Sequence, residues 1–255
     1  MAAGEHPPIV ELTIQGWRYA FVALSRMPAV LGLAMLIMFA LNVATLPLFP
    51  GPQAEPGFAA QAIGTLSGIV TGFLLTPVAI AMHRFVLLGE VAQRYALAPS
   101  EPRFMRFFVF TVVYQLLIGV PGSLMSLAGK SETGLGVALA LVFFALFVVA
   151  VIASVRLLIL FPAIAVDARG AEWRNAMADT KGHSWRVLFV MILATIPSLI
   201  VTMPLYFTLA WPDGPGFSGG IFLGAVQSVV SVLTLCAFAA IASRLFAAFA
   251  NKLNG

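Results

Sequence analysis

Ser218, His6, His83, His183 and Cys236 are the side chains of this 255-residue chain that a reaction could recruit most readily. Ser218 lies in Gly216-Phe217-Ser218-Gly219, the Gly-x-Ser-Gly pattern of intramembrane serine proteases. A nucleophilic serine needs a base within hydrogen-bond reach. The three histidines fall at one edge of the long apolar stretches and Ser218 at the other, so about 30 Å of hydrocarbon would separate them. The serine therefore reads as part of a Gly-rich turn. No HExxH and no histidine pair at i and i+4 occurs, so the histidines form no metal set. His183, beside Asp179 and Lys181, reads as a wet loop histidine within reach of a lipid phosphate. The single cysteine cannot close an internal disulfide and reads as a small apolar filler. No cofactor is expected, and the chemistry leans away from an enzyme.

What surrounds these residues is overwhelmingly apolar. Hydrophobic residues make up 61% of the chain and charged residues only 9%, against roughly 25% charged in soluble domains. The mean hydropathy is +1.01. So few charges cannot clothe a water-exposed surface, and most of the surface must face lipid. A membrane helix needs about 20 apolar residues. Six stretches reach that length: Ala29–Phe49, Ala62–Met82, Phe107–Leu127, Gly134–Leu160, Val187–Trp211 and Ile221–Ser243. Leu139–Ala153 has no polar residue on any face, which rules out the alternation of a membrane strand. The predicted fold is an all-α polytopic bundle of six transmembrane helices plus interfacial helices. Residues 1–28 form an N-terminal interfacial segment and 29–249 the membrane domain, with basic-side loops 83–106 and 161–186 and a tail over 250–255.

Thirteen of the 14 Lys and Arg fall on one side of these spans; Lys130 is the exception. Basic loops stay in the cytoplasm, so both termini are expected inside, and the outer turns carry Glu55, Glu132 and Asp213. The net charge of +4 then belongs to the anionic inner leaflet and not to nucleic acid. No signal peptide is evident, because the first apolar run is too long and begins too late. The expected partners are the bilayer and its anionic phospholipids, with a protein partner or a second copy of the chain as further possibilities.

The basic side also carries candidate interfacial helices. Val10–Met27 mixes Leu12, Trp17, Phe21 and Leu24 with Glu11, Arg18 and Arg26, as a helix lying in the interface does. Between Asp167 and Gly182, Asp167 is an expected N-cap, Lys181 a C-terminal charge and Gly182 a terminator. Trp173, Ala176, Met177 and Thr180 share one face of that helix and are expected to press on the membrane. Arg156, Arg169, Arg174, Lys181, Arg186, Trp173 and Trp185 are the candidate lipid-headgroup contacts.

Within the spans, Gly64, Gly68 and Gly72 line one face and are expected to let another helix approach closely. The same face could instead wall a lipid or solute groove. Asn42, Tyr114, Gln115, Gln227, Thr71, Thr76 and Thr234 can bond across helices, and Pro77, Pro121, Pro197 and Pro204 interrupt spans. No ionisable residue is expected at mid-depth, which weighs against proton coupling. A weak threefold hairpin repeat runs through the chain: pairs of spans open on Trp17-Arg18, Arg103-Phe104 and Trp185-Arg186 and close on Arg84-Phe85, Arg156-Leu157 and Arg244-Leu245.

Trp17-Arg18, Pro28, Arg156-Leu157-Leu158, Phe161 to Asp167 and Thr180 to Arg186 together resemble the poorly characterised six-span bacterial inner-membrane proteins. These are similar to the membrane domain found joined to some glycerophosphodiester phosphodiesterases. The resemblance implies a bacterial inner-membrane location and little chemistry. The soluble catalytic domain of such fusions is not in this sequence, so no catalytic residue carries over. Three functions fit: a non-enzymatic protein organising lipids or partner proteins at the cytoplasmic face, a transporter or channel for a small or amphiphilic solute without proton coupling, and a lipid-modifying enzyme. A cavity reaching from the glycine face towards the outer turns would favour the second; a tightly packed core would favour the first.

Overall fold

The structure is a computed structural model and describes residues 8–45, 58–129, 134–209 and 216–254. Nine helices and no strand occur among the described residues: α1 (Ile9–Arg26), α2 (Pro28–Thr45), α3 (Phe58–Leu88), α4 (Pro102–Ala128), α5 (Gly134–Leu157), α6 (Leu160–Ala165), α7 (Trp173–Asp179), α8 (Ser184–Leu209) and α9 (Gly216–Phe249). Six of them, α2, α3, α4, α5, α8 and α9, are long and apolar enough to cross a membrane. The chain is an all-α, multi-pass membrane bundle. An even number of crossings puts α1 and the end of α9 on one side, the basic one.

Helix α9 is the axis of the bundle. Ala237, Ala239, Ala240, Ala242 and Ser243 are all buried, and such small side chains let neighbouring backbones come close where lipid supplies no hydrophobic drive. α1, α2, α3, α6 and α8 all pack on it. Helix α5 lies at the edge, against α4, α7 and α8. Leu135, Leu141 and Val149 are exposed there, and such a surface is stable only against acyl chains.

Helix α1 is amphipathic, as expected, and it docks instead of floating on the interface. Leu12, Gly16, Ala20 and Ala23 form its buried stripe. A Cβ at Gly16 would stand 2.5 Å from Ile241 Cγ1, so only glycine admits α9 at this distance. The opposite face mixes exposed Val10, Ile14 and Phe21 with Glu11, Arg18 and Arg26.

Two proline-bearing spans are supported from the basic side in the same way. A helix proline donates no N–H to the carbonyl four residues back and crowds the turn before it. Trp17 Nε1 donates to Ala194 O at 3.2 Å, three residues before Pro197. The Tyr95 hydroxyl donates to Leu74 O, three residues before Pro77. Aromatic donors from outside each helix thus fill the weakened turn, a condition under which membrane helices tolerate proline.

The loops on the basic side differ from the expected ones. α3 continues to Leu88 and α4 starts at Pro102, so their connection covers 89–101 and not 83–106. The segment 161–186 holds two short helices instead of one long one. Asp167 is no N-cap: it has φ 53°, and its carboxylate meets Arg103 at 2.5 Å. α7 begins only at Trp173. Ala176 and Thr180 are buried against protein while Trp173 is exposed, so the expected face is split between the bundle and the surface. Gly182 has φ 85° and makes the turn into α8.

Candidate functional site

A cavity of about 340 Å³ opens inside the basic half of the bundle. α3 contributes Thr71, Gly72, Thr76 and His83, α4 contributes Phe107, Thr111, Tyr114 and Gln115, α6 contributes Phe161, and Met191 and Phe238 come from α8 and α9. No Asp, Glu, Lys or Arg lines it. The position of α6 explains the aromatic wall. The chain breaks after Leu157 and re-enters as α6, which brings the Phe161 ring to 5.2 Å from Phe107, 4.6 Å from Phe110 and 5.2 Å from Tyr114, centroid to centroid.

His83 closes the basic end of the cavity. It is 2% exposed, and its Nδ1 lies 2.8 Å from Ser243 Oγ. Ser243 in turn donates to Ala239 O at 2.9 Å. Which of the two atoms donates follows the imidazole tautomer. The expected loop 83–106 began at this residue; the structure puts it inside α3, between spans. The pair does not form a hydrolytic dyad. Ser243 is fully buried and lies behind the cavity wall, so no substrate carbonyl reaches Oγ.

The hydroxyls of Thr76 and Thr111 donate to Gly72 O at 2.7 Å and Phe107 O at 2.9 Å. Towards the cavity they present lone pairs. Gln115 Nε2 reaches Gly68 O at 3.4 Å. The cavity thus offers donors and acceptors but no charge.

A second, more open recess of about 740 Å³ continues along α3 and α4 away from the basic side. It is lined by Gly64, Gly68, Gly119, Val120 and Ser123 among others. Gln115 lines both spaces. The glycine face is therefore divided. A Cβ on Gly72 would meet Gln115 Nε2 and Thr111 Cγ2, each at 3.2 Å; one on Gly68 would meet Gln115 Oε1 at 3.6 Å; one on Gly64 would meet nothing within 4 Å. Gly72 packs, whereas Gly64 walls the recess.

The candidate headgroup residues separate as well. Arg156 turns inward: its guanidinium donates to Met177 O, and Thr180 Oγ1 lies 3.3 Å from its carbonyl. It holds α7 on α5. Arg169, Arg174 and Lys181 are exposed, and Arg186 is half-buried. Trp173 is 59% and Trp185 70% exposed. The Arg174 guanidinium sits 5.4 Å from the centroid of the Trp173 ring. An exposed tryptophan under a cation at a helix start suits a headgroup layer.

Other basic side chains tie the loops on that side together. Arg84 grips Glu90 through Nε at 2.7 Å and Nη2 at 2.6 Å and reaches Ala165 O at 3.2 Å. That hydrogen bond holds the Glu90 carboxyl below the usual carboxylate range. Burial beside Leu74 pushes the Tyr95 phenol up. Asp179, named from sequence only as a neighbour of His183, accepts the backbone N–H groups of Asn251, Lys252 and Leu253 at 3.0, 3.1 and 3.0 Å.

Among the described residues no cluster of His, Cys, Asp and Glu could hold a metal ion. Cys236 is buried among apolar neighbours. The Ser218 side chain lies outside the described residues, as do Glu55, Lys130, Glu132 and Asp213. No family model, no curated protein and no solved structure matches the chain.

Proposed function

We propose that this chain is a non-enzymatic carrier or channel of the bacterial inner membrane, holding an amphiphilic molecule within the bilayer and moving it without proton coupling. The observation that carries this reading is the uncharged cavity of about 340 Å³ between α3, α4, α6, α8 and α9, continued by the recess along the glycine face. A packed core has no such space, since protein interiors leave few voids larger than a water molecule. The polar groups are few and the walls aromatic, as in small-molecule sites. The absence of charge fits neither an ion nor a phosphate. The inner-membrane setting and the cytoplasmic position of the basic face rest on the charge asymmetry and on the resemblance of the Arg156–Arg186 stretch to six-span bacterial inner-membrane proteins.

A second reading rests on a different surface. Exposed Trp173 and Trp185, with Arg174 over the Trp173 ring, suit a protein that gathers anionic phospholipids or a partner protein at the cytoplasmic face. The two readings share one experiment. Native mass spectrometry in gentle detergent, on the wild type and on Ala79→Phe, which fills the cavity, would read bound molecules directly. The carrier reading expects a retained amphiphile near one per chain that is lost from the filled variant. Identical adducts on both proteins, with anionic phospholipid dominant, would transfer the function to the basic surface.

A further inference from the structure

The cavity and the recess meet at one side chain. On α3 the cavity runs from His83 to Thr71, about 18 Å at 1.5 Å per residue. The recess continues from Ile69 to Ala62, about 10 Å more. On α4 the cavity takes residues up to Gln115, and the recess takes Gln115 and those beyond it. The Gln115 amide lies across the glycine face: Oε1 is 3.6 Å from the Cβ position of Gly68 and Nε2 is 3.2 Å from that of Gly72. A single long hydrogen bond, 3.4 Å to Gly68 O, holds it there. The path from His83 to Ala62 is about 32 Å, close to the thickness of the hydrocarbon core.

We propose that the cavity takes the head of an uncharged, single-chain amphiphile and that Gln115 is the specificity-determining residue that limits the length of its chain. This rests on the carrier reading above. The head is uncharged because the lining carries no Lys, Arg, Asp or Glu, and a phosphate or ammonium would lose its hydration without gaining a counter-charge. It bears hydroxyl or carbonyl groups, because Thr76 and Thr111 accept there while Tyr114 and Gln115 donate. The chain is single because past Thr111 the passage narrows to the gap between Gln115 and two glycines. In the wild type the amide closes the cavity on short chains. A longer chain must displace it to enter the recess.

A homologous series of 1-monoacylglycerols tests this, each competed against the alkyl phosphate of the same chain length, with occupancy read by native mass spectrometry on the detergent-purified full chain. In the wild type, occupancy should rise with each methylene that packs against the cavity wall and flatten at the length that reaches Gln115. In Gln115→Ala the plateau should move to longer chains. In Gln115→Leu, which keeps the bulk without the amide, it should stay near the wild-type length. Alkyl phosphates should bind at least about tenfold more weakly, a difference of about 1.4 kcal/mol. The same plateau in wild type and Gln115→Ala would overturn the role of Gln115 and leave the cavity as a binding site. Equal binding of alkyl phosphates would overturn the uncharged head. No saturable binding of any probe to any variant would remove the carrier reading itself.

Discussion

His83 Nδ1 and Ser243 Oγ lie 2.8 Å apart, buried between α3 and α9. They are 160 residues apart in the chain, yet each immediately precedes the arginine that closes a hairpin, Arg84 and Arg244. The pair joins the basic-side ends of α3 and α9. It also does two jobs at once. It ties the axial helix to a neighbour, and it holds the imidazole at the basic end of the cavity.

Removing the serine hydroxyl takes away the partner of a buried imidazole nitrogen, at a cost of about 1–3 kcal/mol. Ser243→Ala should therefore lower the thermal midpoint in detergent. His83→Phe, which removes the imidazole nitrogen and keeps an aromatic wall, should cost less in the Ser243→Ala background than in the wild type. Additive losses in that double-mutant cycle would mean that the two side chains do not support one another.

The proline supports make a paired prediction. Trp17→Phe and Tyr95→Phe keep the rings and remove only the donors to Ala194 O and Leu74 O. Each should cost about 1 kcal/mol, and hydrogen exchange should quicken in the turns before Pro197 and Pro77 respectively, and not in the other span. Unchanged exchange in both turns would show that the prolines are accommodated without these donors.

The six spans were readable because a bilayer demands about 20 apolar residues in each, and only their ends moved. The cavity was not readable. Its head-end pair joins residues from the first and last hairpins, and its aromatic wall depends on α6, a turn and a half of helix that follows a break inside an unbroken apolar run. Helical spacing misled at α7, because Ala176 and Thr180 share a face whether that face meets lipid or protein. Asp167 looked like a cap because caps are local, whereas its partner Arg103 is 64 residues away. The four-residue spacing of Gly64, Gly68 and Gly72 places them on one face but does not say which glycine packs.

Those glycines now separate by experiment. Gly64→Ala meets open space and should stabilise α3 by about 0.5–1 kcal/mol through reduced backbone freedom. Gly72→Leu must displace Gln115 and Thr111 and should lower the thermal midpoint clearly. Equal effects at the two positions would mean that α3 and α4 do not meet as described.

Glu90 predicts a pH dependence. Its folded-state pKa is lowered, chiefly by the hydrogen bond from Arg84. A lowered carboxyl adds stability above its ordinary titration range and loses it as pH falls through the depressed value. Glu90→Gln should thus have a lower thermal midpoint than the wild type at neutral pH, and the gap should close below about pH 4. A gap that stays constant into acid would assign the effect to shape and not to charge.

Asp179 makes the last and most local case. One carboxylate accepts three consecutive backbone N–H groups from Asn251, Lys252 and Leu253, and the Leu253 side chain is fully buried beneath them. From the other side, Gly170 N–H donates to Leu253 O at 3.3 Å, and a Cβ on Gly170 would lie 2.1 Å from Lys252 O. The segment after α9 is therefore clasped between the α6–α7 turn and the end of α7. Hydrogen bonds to a charged acceptor contribute about 1.5–3 kcal/mol each, and a side-chain amide has one acceptor oxygen where the carboxylate has two. Asp179→Asn should speed amide exchange at residues 251–253 by more than tenfold, since about 1.4 kcal/mol already corresponds to a factor of ten. Gly170→Ala, acting sterically on the same segment, should do so as well. Unaltered exchange at those three amides in Asp179→Asn would mean that the burial of Leu253 alone holds the segment, and Leu253→Ala would then be the substitution that frees it.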